Sequence, residues 1–135
     1  MRRRSVMRWA LATFYTAAGI VHLLAPAPLL AITPSWVPFP SEVIFATGVF
    51  ELMASAALVS GRFRKWAGVL MAIYAICVWP ANFKHAIDGI DLPFVSSSWW
   101  YHVPRLALQP VIAWWALFCA GAINWPAKRT ERSKF

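Results

Sequence analysis

Four apolar runs divide the sequence, and each is close to the length that a helix needs to cross a lipid bilayer. They lie at residues 9–25, 43–61, 66–83 and 106–125, and about 20 residues are enough for a helical span. Backbone groups in lipid must be hydrogen-bonded within their own segment, and no run alternates with the period of two that is typical of a membrane β-barrel. The runs therefore predict an all-α integral membrane protein, a four-helix bundle forming a single domain over residues 1–135.

Composition supports this class over a water-soluble domain. The chain is 60% hydrophobic and 13% charged, whereas soluble domains have about 45–50% apolar and about 25% charged residues. The predicted helices are about 9–25, 43–61, 66–83 and 104–125, and residues 126–135 form a cytoplasmic tail. The serine cap and aromatic residues of SSSWWYH at 96–102 allow the fourth helix to start as early as Trp99.

The net charge of +8 is explained by membrane topology rather than by nucleic-acid binding. Of the 13 Lys and Arg residues, 11 fall in three clusters, which are Arg2, Arg3, Arg4 and Arg8, then Arg62, Arg64 and Lys65, and finally Lys128, Arg129, Arg132 and Lys134. With four spans, all three clusters lie on the same side of the membrane, and the positive-inside rule makes that side cytoplasmic. We therefore expect both termini in the cytoplasm and no nucleic-acid partner.

Polar side chains gather in the outer half of the predicted bundle, although each comes from a different helix. Ionisable groups within a membrane span are costly and usually face the bundle interior, where they mark functional sites. The predicted ligand-binding or buried polar cluster consists of Tyr15, His22, Glu51, Asn82, Arg105 and Gln109. None of these residues is assigned a catalytic role, and their spacing does not match a metal site, so no metal is expected.

Two local arrangements follow from this cluster. Pro80 lacks the backbone N–H that would bond to the carbonyl of Ile76, so we expect a kink in the third helix, with Asn82 bonded across the bundle. Glu51 is the one acid within the apolar runs, and a buried carboxylate is either protonated or matched by a cation. Arg105 lies on the same side of the membrane, so the sequence predicts a direct Glu51–Arg105 pair.

Five motifs resemble those of the DoxX-like family of four-helix membrane proteins. They are GIVHL at 19–23, PSWVPFP at 34–40, TGVFELMASAALV at 47–59, WPAN at 79–82 and RLALQ at 105–109. Their order and spacing are similar to the family pattern from about Trp9 to Trp125. The likeness implies that His22, Glu51, Pro80, Asn82, Arg105 and Gln109 are the characteristic polar positions of the family.

The resemblance implies a membrane subunit of an oxidoreductase or redox-stress complex, with a quinone-like small molecule in the outer half of the bundle. The residues themselves assign no cofactor, and the likeness makes a quinone the candidate. The two cysteines, Cys77 and Cys119, form no CxxC motif, which argues against direct dithiol chemistry. The alternative is a non-enzymatic small-solute carrier or membrane assembly factor. Expected partners are the lipid bilayer and a redox protein or further copies of the chain, and the expected location is a bacterial-type inner membrane, crossed several times.

Overall fold

The computed structural model describes residues 2–92 and 97–125, and every secondary-structure element in these ranges is a helix. The elements are α1 (Arg2–Leu24), α2 (Ala27–Ile32), α3 (Pro40–Val59), α4 (Arg64–Cys77), α5 (Trp79–Ile87) and α6 (Trp99–Ala120). The prediction of an all-α chain is confirmed for these residues. The predicted tail at 126–135, with its basic cluster, lies outside the described residues.

Three helical segments are long and apolar enough to cross a membrane. They are Pro40–Val59, Arg64–Ile87, which joins α4 to α5, and Trp99–Ala120. Helix α1 has 23 residues, which is sufficient length, but it is not among the three because its arginines, threonines and His22 lower its hydropathy. The predicted membrane-protein class is confirmed at this level.

The long helices pack in a closed ring in which α1 contacts α3 and α6, and α4 contacts the same two helices. The centre of the ring is apolar, and six of its side chains are completely buried: Leu11, Leu58, Met71, Ala75, Ala116 and Cys119. Large apolar side chains such as Phe45, Met53 and Ile73 point outward and are exposed. A molecule with apolar side chains on both its inside and its outside is suited to lipid rather than to water.

Glycines at two helix crossings allow the backbones to come unusually close. A Cβ atom on Gly19 of α1 would lie 2.9 Å from the carbonyl oxygen of Gly48 on α3, and one on Gly68 of α4 would lie 2.2 Å from the Cβ of Ala120 on α6. Membrane helices associate through close packing of this kind, because lipid removes the hydrophobic driving force between them. The two crossings therefore fix how α1 meets α3 and how α4 meets α6.

The third predicted helix is interrupted at Val78, two residues before Pro80. Helix α4 ends at Cys77, the Val78 N–H bonds to the Tyr74 carbonyl at 3.0 Å, and α5 begins at Trp79 with Pro80 in its first turn. Proline is favoured there because the first helical N–H groups have no intrahelical partner. The helix is thus interrupted next to Pro80, where the sequence predicted a kink.

A second proline, Pro110, lies inside α6. It has no N–H to offer the carbonyl of Leu106, four residues earlier. The indole Nε1 of Trp79 donates to that carbonyl at 3.1 Å, so the first residue of α5 satisfies the group that Pro110 leaves free. This hydrogen bond joins the start of α5 to the part of α6 where Pro110 interrupts the backbone hydrogen bonding.

The ends of α6 depart from the predicted 104–125. The Ser98 hydroxyl accepts a hydrogen bond from the Trp100 N–H at 3.3 Å, so the helix begins at Trp99, the earlier of the starts that the sequence allowed. Gly121 has a φ of 79°, a left-handed conformation that suits glycine and ends the helix at Ala120. Arg8 of α1 donates to the Cys119 carbonyl at 3.2 and 3.3 Å, a favourable place for a cation at a helix C-terminus.

We predict that Gly68→Ala lowers stability, because its new methyl group would overlap Ala120. Overpacking of this kind costs about 1–3 kcal/mol. The matched control is Gly61→Ala, since nothing lies within 4 Å of a Cβ atom at Gly61. Thermal melting in a mild detergent should show a lower midpoint for Gly68→Ala alone. Equal midpoints for the two variants would contradict the close α4–α6 crossing.

Candidate functional site

A cavity of about 690 Å³ lies between the helices, within the range of about 300–1,000 Å³ that is typical of small-molecule sites. Helices α1, α3, α4, α5 and α6 all contribute to its lining, as do α2 and the following residues 33–37. The lining is mainly apolar and aromatic. All six predicted cluster residues contribute to it, namely Tyr15, His22, Glu51, Asn82, Arg105 and Gln109.

The close crossing of α1 and α3 positions one polar group of this cavity. His22 lies three residues after Gly19 on α1, and its Cβ would be 2.9 Å from a Cβ atom on Gly48 of α3. Glu51 lies one turn after Gly48, so the crossing brings His22 alongside it. Their side chains meet, with His22 Nδ1 3.1 Å from Glu51 Oε2. Tyr74 of α4 also contacts Glu51, since its hydroxyl donates to Glu51 Oε1 at 2.8 Å.

The second carboxylate oxygen of Glu51 is buried without a hydrogen bond. The Ala18 carbonyl lies 2.8 Å from His22 Nδ1, and since a carbonyl can only accept, the Nδ1 hydrogen points toward Ala18. Glu51 Oε2 therefore has the imidazole as a close electrostatic neighbour but no hydrogen-bond donor among the described residues. Glu51 is only 3% exposed, so a ligand in the cavity is the natural source of the missing donor.

A second polar group is centred on Arg105 of α6 and is built by the helix that Pro80 starts. One guanidinium nitrogen of Arg105 donates to Asn82 Oδ1, and the other donates to His85 Nδ1. The Nε2 atom of His85 lies 3.1 Å from the Ile90 carbonyl. Because Nδ1 accepts from Arg105, the ring proton must be on Nε2, where it bonds to that carbonyl. The expected bond of Asn82 across the bundle is thus confirmed.

The predicted direct pair of Glu51 with Arg105 is wrong. The one ion pair among residues 2–92 and 97–125 joins Glu51 to His22. The sequence correctly placed both charges in the interior, but residue depth alone does not fix helix rotation or the course of the chain after Pro80. As a result, Glu51 contacts α1 and α4, whereas Arg105 contacts α5.

The remaining predicted residues have simpler positions. The Tyr15 ring is 4% exposed and lies beside the Tyr74 ring, with centroids 6.2 Å apart. Gln109 is buried one turn below Arg105 on α6. Sequence reasoning missed Tyr74 and the role of His85. Tyr74 could have been found from the sequence, because it is the one hydroxyl-bearing side chain in the third apolar run, residues 66–83.

Metal or thiol chemistry gains no support from these contacts. Across the described residues, no group of three or more His, Cys, Asp and Glu side chains converges as a metal-binding set. Cys77 and Cys119 are both free. Cys119 is fully buried in the apolar core, consistent with a packing role.

The comparison with known families gives one match. A family model described as a domain of unknown function, DUF8561, matches residues 11–129. This range includes every residue of the cavity lining and all the helices apart from the start of α1. No curated protein and no solved structure is significantly similar to the chain.

We predict that Tyr74→Phe destabilises the protein more than Tyr15→Phe does. Loss of the Tyr74 hydroxyl leaves both oxygens of the buried Glu51 carboxylate without a donor, at a cost of about 1–3 kcal/mol. The Tyr15 hydroxyl lines the same cavity but makes no hydrogen bond within the described part of the chain. Equilibrium unfolding in mixed detergent micelles measures both changes. A Tyr15→Phe effect as large as that of Tyr74→Phe would refute the assigned bond.

Proposed function

The chain belongs to the DUF8561 family, and we propose that it is a four-helix membrane protein that binds a quinone-like amphiphile in the outer half of the bundle. The observation that carries the proposal is an apolar cavity with two separate, incompletely satisfied polar groups. These are the Glu51 carboxylate, with a free Oε2, and the Arg105 guanidinium, with N–H groups to spare.

The distribution of charge supports four spans with cytoplasmic termini. Arg4 donates to the Ile123 carbonyl and Gly68 adjoins Ala120, so the start of α1 and the α3–α4 turn lie beside the end of α6. The basic residues of this end are Arg2, Arg3, Arg4, Arg8, Arg62, Arg64 and Lys65. Glu42, Asp88 and Asp91 are near the opposite end of the helices. The positive-inside rule assigns the basic end to the cytoplasm.

The surface of α1 supports its role as the fourth span. Its 23 residues would extend about 34 Å, and it packs on both α3 and α6. Ile20 and Val21 lie outside the cavity and are 45% and 51% exposed, as lipid-facing side chains would be. The polar Tyr15 and His22 instead face the cavity, which is the usual orientation of polar groups within membrane spans.

The hydrogen-bonding character of the two polar groups favours a ring with oxygens at both ends. An ionised Glu51 can only accept, so its free Oε2 needs a donor, whereas Arg105 can only donate and needs an acceptor. A hydroquinone supplies both, because each hydroxyl is a donor and an acceptor. The aromatic side chains of Tyr15, Tyr74 and Tyr101 around the cavity suit a flat ring.

The similarity to the DoxX-like proteins supports the rest of the proposal. On that basis the chain is a membrane subunit of an oxidoreductase or redox-stress complex in a bacterial-type inner membrane. The residues around the cavity would hold and orient the quinone, and the electron-transfer group would belong to a redox partner. A small-solute carrier or assembly factor is the competing function, and the ligand experiment below separates it from the first.

The topology has a direct test in reporter fusions. We predict that fusions after residues 64 and 130 are active in the cytoplasm, and that fusions after residues 33 and 92 are active outside. The reason is that three basic clusters at alternate helix ends cannot easily be translocated. A reporter at residue 130 that is active outside would refute the arrangement.

We also predict saturable binding of 1,4-dihydroxynaphthalene under anaerobic conditions, observed as quenching of tryptophan fluorescence. Trp36 and Trp100 line the cavity and provide the signal. Glu51→Gln should weaken binding by about tenfold, since it replaces a charged acceptor by a neutral one. Glu42→Gln is the matched control, because Glu42 is exposed in the first turn of α3.

Two results would overturn this function. One is the absence of saturable quenching by a protein whose melting curve shows that it is folded. The other is solute flux in proteoliposomes that depends on Glu51 and is unaffected by the hydroquinone, which would identify a carrier.

A further inference from the structure

Arg105 is a cavity-lining cation whose contacts within residues 2–92 and 97–125 are all with neutral groups. Its two hydrogen-bond partners are the amide oxygen of Asn82 and an imidazole nitrogen of His85. The His85 ring cannot carry a charge while Nδ1 accepts from the guanidinium. Tyr101 adds only its aromatic face, whose centre is 5.7 Å from the guanidinium carbon. The ion pair formed by the described residues involves Glu51 and His22 rather than Arg105.

This environment orients the guanidinium without neutralising it. A guanidinium has five N–H donors, and the bonds to Asn82 and His85 use one on each terminal nitrogen. Three donors are left, on a group that α5 prevents from rotating away. A partly buried charge without a counter-ion is unfavourable, and an anion that entered the cavity would relieve the cost.

Glu51 is not that anion, because its carboxylate contacts His22 Nδ1 at 3.1 Å and accepts from Tyr74, and it forms no ion pair with Arg105. Lys84, another cation at this end, does not line the cavity, and its Nζ donates to the Thr33 carbonyl at 2.7 Å. The unmatched charge at the cavity therefore belongs to Arg105.

We propose that Arg105 forms an anion subsite, and that the ligand of the cavity carries an acidic oxygen group, a carboxylate or a phosphate, next to its apolar ring. Asn82 and His85 are positioning residues that present the free guanidinium N–H groups to this group. The inference rests on the proposed function in one respect, since it places the anionic group on the same cavity-bound ligand. A lipid phosphate would offer the same chemistry, and we assign the anion to a cavity ligand because Arg105 lines the cavity beside Asn82 and Gln109.

The test compares two ligands of almost the same shape that differ in charge. These are 1,4-dihydroxy-2-naphthoate and its methyl ester, titrated anaerobically in phosphatidylcholine nanodiscs with tryptophan quenching as the readout. A charged group bonded to Arg105 should make the acid bind about tenfold more tightly than the ester. In Arg105→Gln the two affinities should become equal, and Arg105→Lys should retain part of the preference.

The matched control is Arg62→Gln, which removes one positive charge from an exposed position at the opposite end of the molecule and should leave the preference unchanged. If Arg105→Gln does not fold, the wild-type ratio and the Arg105→Lys ratio still decide the question. Equal affinities of acid and ester for the wild-type protein overturn the anion subsite, as does a preference that Arg105→Lys leaves wholly unchanged.

The failure of this inference is distinguishable from failure of the proposed function. If 1,4-dihydroxynaphthalene binds but the carboxylate adds nothing, the cavity function stands and the subsite is refuted. If none of the three naphthalenes binds a folded protein, both are refuted. If phosphatidylglycerol in the nanodiscs abolishes the preference for the acid, a lipid headgroup is the anion at Arg105, and the assignment to a cavity ligand is refuted.

Discussion

The arrangement of the molecule depends on how two charges are accommodated inside an apolar ring of helices. Glu51 and Arg105 both line the cavity, where a charge that lacks partners is costly. Each is held by its own neighbours, Glu51 by Tyr74 and His22, and Arg105 by Asn82 and His85. These contacts tie together α1, α3 and α4 on one side, and α5 and α6 on the other, so the positions of the helices and of the charges are interdependent.

Two backbone features make these contacts geometrically available. The first is the glycine contact between α1 and α3, which brings His22 Nδ1 within 3.1 Å of Glu51 Oε2. The second is the break before Pro80, after which α5 carries Asn82 and His85 to Arg105. Trp79 secures the second feature by bonding the Leu106 carbonyl that Pro110 leaves free. Glycine and proline therefore determine the site without contributing polar side chains to it.

The sequence was sufficient to predict an all-α chain, an interruption near Pro80 and the convergence of Tyr15, His22, Glu51, Asn82, Arg105 and Gln109 on one cavity, but not the short helix α2. Those features follow from hydrophobic length, from the missing N–H of proline and from residue depth along a helix. The actual partners could not be predicted in the same way. Which side chain faces which depends on helix rotation, and rotation is set by the close contacts at Gly48 and Gly68, which only the packed structure reveals.

The wrong prediction of a Glu51–Arg105 pair is informative about function. A direct pair would have satisfied both charges, and a ligand could bind only by breaking it, at a cost on the order of 3–5 kcal/mol for a dry pair. With the charges held separately, Glu51 keeps an oxygen without a donor and Arg105 keeps N–H groups without an anion. The neighbours of each residue hold its side chain in place but leave some of its polar atoms without a hydrogen bond. A ligand that makes those interactions gains binding energy without displacing any protein contact, which is the requirement for a preorganised site.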